Sequence, residues 1–124
     1  MRRTSIVAIG LAAVISVFAS GGPARAQYGA IAYDSANCAW GDSWNYANQA
    51  AANARALADC KGAGCKVVAP IGPNFCAALA TTANCKGWGW ASRSTRDAAS
   101  LGAMQECQKY NAGQCALKVS DCNR

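Results

Sequence analysis

The 124-residue chain contains no histidine. That absence removes the general base from cysteine–histidine and serine–histidine catalysis. It also takes away one common ligand of structural zinc, and no C-x-x-C pair supplies the other usual signal. There is no S-x-x-K pair. The glycines of Gly62-x-Gly64 and Gly87-x-Gly89 lack the remaining positions of any phosphate-binding loop. Acidic residues are scarce, so a carboxylate pair for glycoside cleavage could come only from Asp34, Asp42, Asp59, Asp97, Glu106 and Asp121. Asp97 belongs to a helix cap, and Asp59 and Glu106 stand late in helices. Asp34 and Asp42 flank a hairpin turn, where aspartate is common. The second half of the chain has Thr81 or Thr82 and Trp90 near those places, which excludes a symmetric site. These absences point away from an enzyme and from any cofactor or metal. The alternative is a small exported hydrolase that attacks glycan through carboxylates.

One long apolar run exists, and it lies at the start. Met1-Arg2-Arg3 is positive, Ile6 to Ala19 is apolar, Ser20 to Pro23 breaks the run, and Ala24-Arg25-Ala26 is an A-x-A cleavage site. This is the three-part pattern of a secretory signal peptide, residues 1–26, and the run is too short to span a bilayer. The mature chain is then a single domain, residues 27–124, exported to the periplasm or the medium, with no membrane span. Loss of Arg2, Arg3 and Arg25 leaves nine basic against six acidic residues, a net charge of +3. The basic residues are scattered, unlike the dense stripe of a nucleic-acid binder.

Eight cysteines lie in this mature part: Cys38, Cys60, Cys65, Cys76, Cys85, Cys107, Cys115 and Cys122. An even number in a short exported chain reads as a disulfide framework. A domain of this size buries only about 60–65% of its unfolded surface, so such bridges matter to its stability.

The mature chain also reads as two copies of one pattern, about 27–74 and 75–124. Ala36-Asn37-Cys38 recurs as Ala83-Asn84-Cys85, and Trp40-Gly41 as Trp88-Gly89. Leu57-x-x-Cys60 recurs as Met104-x-x-Cys107, Cys65-Lys66-Val67 as Cys115-Ala116-Leu117, and Cys76 is matched with Cys122. Each copy begins with a hairpin, Gly29 to Tyr33 with Ala39 to Trp44, and Phe75 to Ala80 with Gly87 to Ala91. A helix follows, with Asn45 as N-cap and Ala47 to Cys60 as its body in the first copy. In the second, Ser94 and Asp97 form a capping box. A last strand, Cys65 to Ala69 or Cys115 to Ser120, closes each unit. The expected fold is α+β: an antiparallel sheet of about six strands with two helices on one face.

Four tryptophans, Trp40, Trp44, Trp88 and Trp90, are the candidate binding residues. Residues two apart in a strand share a face, so Trp88 points with Trp90, and Trp40 with Trp44. Exposed, they could stack on a glycan or anchor a partner protein. The helices offer mostly alanine, however, and close packing needs large groups opposite small ones. Most of the tryptophans are therefore expected to fill a core. Trp90 has Asp42 at the equivalent place in the first copy and is the residue to test first for binding. The expected activity is that of a non-catalytic binding module. Its oligomeric state is left open.

Taken together, YGAIAY, AWG, an alanine-rich helix ending L-x-x-C, GCKVVAP, N-x-CAALA, GWGWA and C-x-L-x-V resemble a family of bacterial exported proteins. This is the group called domain of unknown function 4189. The resemblance runs from Tyr28 to Cys122 and implies a small secreted or periplasmic disulfide-bonded domain. It carries over no catalytic residues. Cys38 and Cys85 stand outside the usual family pattern, and their equivalent places suggest a bond between them, one pairing among the 105 connectivities that eight cysteines allow.

Overall fold

The computed structural model describes residues 26–110 and 113–124. All of the expected signal peptide except Ala26 lies outside these residues. The element order is β1 (Tyr28–Asp34), β2 (Ala39–Tyr46), α1 (Gln49–Asp59), β3 (Lys66–Ile71), β4 (Cys76–Thr82), β5 (Trp88–Arg93), α2 (Arg96–Tyr110) and β6 (Cys115–Cys122). The class is α+β, with six antiparallel strands and two helices. Both halves run strand, strand, helix, strand.

The arrangement differs from a single sheet carrying both helices on one face. The strands form two three-stranded sheets, ordered β2-β1-β3 and β5-β4-β6. Each sheet carries its own helix on its outer face, and the two inner faces meet. Side-chain alternation explains this. In β1, Ala30 and Ala32 face α1, where they pack with Ala52, Ala56 and Cys60. Ile31 and Tyr33 point the other way and join Leu79 and Val119 of the second sheet. In β4, Ala78 and Ala80 face Ala99 and Ala103 of α2. Every central strand is thus covered on both faces, which a single one-sided sheet would not achieve.

The helices seat on glycine. A Cβ built on Gly41 would fall within the backbone of Ala56 and Cys60, and one on Gly89 within that of Glu106 and Cys107. Close approach of helix to strand therefore needs a bare strand face at these two positions. The buried face of α1 is Ala52 and Ala56, and Leu57 is exposed on the opposite side. Trp44, Trp88 and Trp90 are half-buried and pack against the layer between the sheets rather than beneath the helices, whereas Trp40 is exposed.

Helix starts fall a little later than the sequence suggests. Asn48, not Asn45, caps α1, its side chain accepting from the Ala51 N–H at 2.8 Å. Asn45 instead lies within β2, one residue before its end, with φ 64°. Thr95, not Ser94, accepts from the Ala98 N–H at 3.2 Å at the start of α2. Both corrections have one cause: the strands before the helices extend to Tyr46 and Arg93, which displaces the cap.

Four disulfides join all eight cysteines. Cys60–Cys65 and Cys107–Cys115 each tie a helix end to the strand that follows. Cys38–Cys85 joins the two hairpin turns and links the sheets, as the equivalent places suggested. Cys38 and Cys85 both take the left-handed conformation, at φ 54° and 65°. Cys76 and Cys122 are not equivalent positions. They face each other across the β4–β6 pair at the start of one strand and the end of the other, and are bonded. No helix among the described residues is long and apolar enough to cross a membrane.

Candidate functional site

The free edge of β5 opens onto a cleft of about 290 Å³ lined by Trp88, Gly89, Trp90, Glu106 and Tyr110. Strand and helix periodicities assemble it. Trp88 and Trp90 are two apart in β5 and project together. Glu106 and Tyr110 are four apart in α2 and stand side by side. Gly89 lets α2 close onto the strand between the two indoles. The Trp88 ring also packs inward against Tyr33, with centroids 5.5 Å apart, so its position is held by the core. Tyr110 is largely exposed and forms the outer wall.

The two halves differ at the residues that line this cleft. Asp42 of β2 pairs with Ile31 as Trp90 of β5 pairs with Leu79, so a carboxylate replaces an indole at the equivalent place. Helix α1 ends at Asp59, one residue before Cys60, whereas α2 continues past Cys107 to Tyr110. The first half therefore lacks both the second indole and the aromatic wall.

The structure separates the four candidate tryptophans. Trp88 and Trp90 share the cleft. Trp44 packs against the core between the sheets, and its indole N–H donates to Asp42 Oδ2 at 2.7 Å. Trp40 is 40% exposed on β2 and does not line the cleft. Glu106 and Tyr110 were missed as site residues in the sequence, although their i, i+4 spacing placed them on one helix face.

The carboxylates considered for hydrolysis do not come together. Asp34 follows Ala30 and Ala32 on the α1 side of the first sheet, while Asp42 shares the opposite face with Ile31. Asp34 is also fully engaged. Its Oδ1 accepts from the N–H groups of Ala36 at 3.0 Å and Asn37 at 3.3 Å. Its Oδ2 accepts from Asn37 Nδ2 at 2.6 Å and the Gly64 N–H at 2.9 Å. The Asn37 amide, followed by the Gly64 N–H, holds the Asp34 carboxyl below its ordinary pKa, against the opposing pull of burial. Asp34 thus fastens the first hairpin turn to the loop after α1. Asp59 pairs with Arg55 at 3.1 Å and Asp121 with Arg96 at 3.0 Å. Among the described residues no group of three or more His, Cys, Asp or Glu side chains gathers to hold a metal.

The family model described as "Domain of unknown function (DUF4189)" matches residues 28–122. Protein Rv1269c of Mycobacterium tuberculosis (strain ATCC 25618 / H37Rv) is 47% identical over 57 residues, 46% of this chain and 42% of that protein. Protein Mb1300c of Mycobacterium bovis is similar to the same extent, 47% over 57 residues with the same 46% and 42% coverage. The chain thus spans less than half the length of these relatives. No solved structure matches.

Proposed function

This chain belongs to the DUF4189 family, and on that premise we propose that it is an exported, non-catalytic binding module whose ligand site is the Trp88–Trp90 cleft. The cleft is the observation that carries this reading. It combines two half-buried indoles, held rigid by strand and core, with a carboxylate and an exposed phenol. Small-ligand sites share this composition: mostly aromatic walls with few polar groups. Four disulfides in so small a domain support an oxidising compartment. The apolar run before residue 26 supports export by a cleaved signal. The two halves, alike in element and strand order, support descent from a duplicated unit, with the site arising where one copy diverged.

Two experiments test the reading. The N-terminus of the exported protein should begin near Gln27, and a chain retained with its apolar run intact would sink the export assignment. Titration of the oxidised protein with small aromatic-stacking ligands, soluble oligosaccharides among them, should shift the indole resonances of Trp88 and Trp90. Trp90→Ala should abolish binding without unfolding the domain. Binding that survives Trp90→Ala would place the ligand elsewhere.

A further inference from the structure

The cleft has a charge character that narrows its ligand. We propose that it takes a small organic cation of the alkylammonium class, an inference that rests on reading the cleft as the ligand site. Trp88, Trp90 and Tyr110 supply three aromatic rings around a space of about 290 Å³. Aromatic faces carry negative quadrupole charge and attract ammonium groups, tryptophan most strongly. Glu106 is the single glutamate of the chain. Its carboxylate makes no ion pair or hydrogen bond among the described residues, while Asp34, Asp42, Asp59 and Asp121 are all engaged. A carboxylate beside three rings has no use for an anion and repels one. The volume lies at the low end of small-ligand sites, about 300 Å³, which suits a headgroup rather than an extended sugar chain. The Lys109 ammonium stands 5.3 Å from the centroid of the Tyr110 ring. That ammonium is the cation a ligand would meet first, so it competes with the ligand rather than helping it.

The test uses the oxidised protein with its four disulfides, titrated with choline and with 3,3-dimethylbutanol, its uncharged isostere, at constant ionic strength. Indole NMR shifts and tryptophan fluorescence report occupancy. Choline should move the Trp88 and Trp90 signals, and the neutral isostere should bind about tenfold more weakly. Glu106→Gln should weaken choline binding by about tenfold, and Lys109→Ala should strengthen it severalfold. An anionic ligand would respond to both variants in the opposite direction. Co-sedimentation with phosphatidylcholine vesicles separates a membrane-borne headgroup from a free solute, since only the first carries the protein into the pellet. Equal binding of choline and its isostere, or unchanged choline affinity in Glu106→Gln, overturns the cation assignment and leaves the cleft as a neutral-ligand site. Silence of both indoles toward choline, isostere and oligosaccharide alike overturns the cleft itself.

Discussion

The phenol of Tyr33 in β1 donates a hydrogen bond to the backbone carbonyl of Cys85, in the turn of the opposite sheet. Both partners are buried, and Cys85 is bonded to Cys38 beside the same contact. Tyr33→Phe keeps the ring against Trp88 but leaves a buried carbonyl without its donor. The expected loss is about 1–3 kcal/mol in chemical denaturation. Burial, and secondarily the Asp34 charge, raise the pKa of this phenol. The neutral form is therefore favoured in the folded state. Wild-type stability should hold below about pH 10, the unfolded tyrosine value, and fall as pH rises above it. Tyr33→Phe should remove that alkaline slope. A slope of unchanged size would refute the assignment.

Asp34 works in the opposite direction along the pH scale. Its folded pKa is lowered, so its contribution is present above the unfolded carboxylate value of about 4 and is lost as pH falls through the folded value. Asp34→Ala should be less stable at neutral pH and should lose part of the acid dependence. Urea midpoints measured from pH 7 down to pH 2 on both proteins test this. Parallel curves would show that another carboxylate carries the effect.

The disulfides should differ in weight. Cys38–Cys85 and Cys76–Cys122 close loops of 47 and 46 residues, while Cys60–Cys65 and Cys107–Cys115 close loops of 5 and 8. Chain-entropy estimates give about 4 kcal/mol for each long loop and about 2 kcal/mol for each short one. Paired Cys→Ser variants, unfolded in guanidinium, should follow that order. A Cys60/Cys65 double variant as unstable as Cys38/Cys85 would mean that native packing around the short bridge outweighs loop entropy.

Gly41→Ala and Gly89→Ala should each force a helix away from its sheet, because the added methyl meets backbone and not a movable side chain. Overpacking of this kind costs about 1–3 kcal/mol. In Gly89→Ala, displacement of α2 carries Glu106 and Tyr110 away from the indoles, so ligand shifts at Trp88 and Trp90 should weaken. Gly41→Ala should leave those shifts intact. Thermal melts and the same NMR titration distinguish the two variants.

The local pattern alone determined a great deal. Alternation and turn residues placed six strands and two helices within a few residues of their ends, and spacing set Trp88 and Trp90 on one face of β5. The matched places of Cys38 and Cys85 even pointed to their bond. Cap positions slipped because neighbouring asparagines, serines and threonines are chemically alike, and strand length decides among them. What local pattern could not convey was which elements meet. Whether six strands form one sheet or two depends on how both faces of β1 and β4 are covered, a property of the whole chain. The Cys76–Cys122 bond followed from register across β4 and β6, not from repeat position. The cleft needed both: two periodicities legible in sequence, and a glycine contact that brings strand and helix together. Trp88 and Trp90 were visible from the start. Glu106 and Tyr110 became their neighbours only when Gly89 let α2 close onto β5.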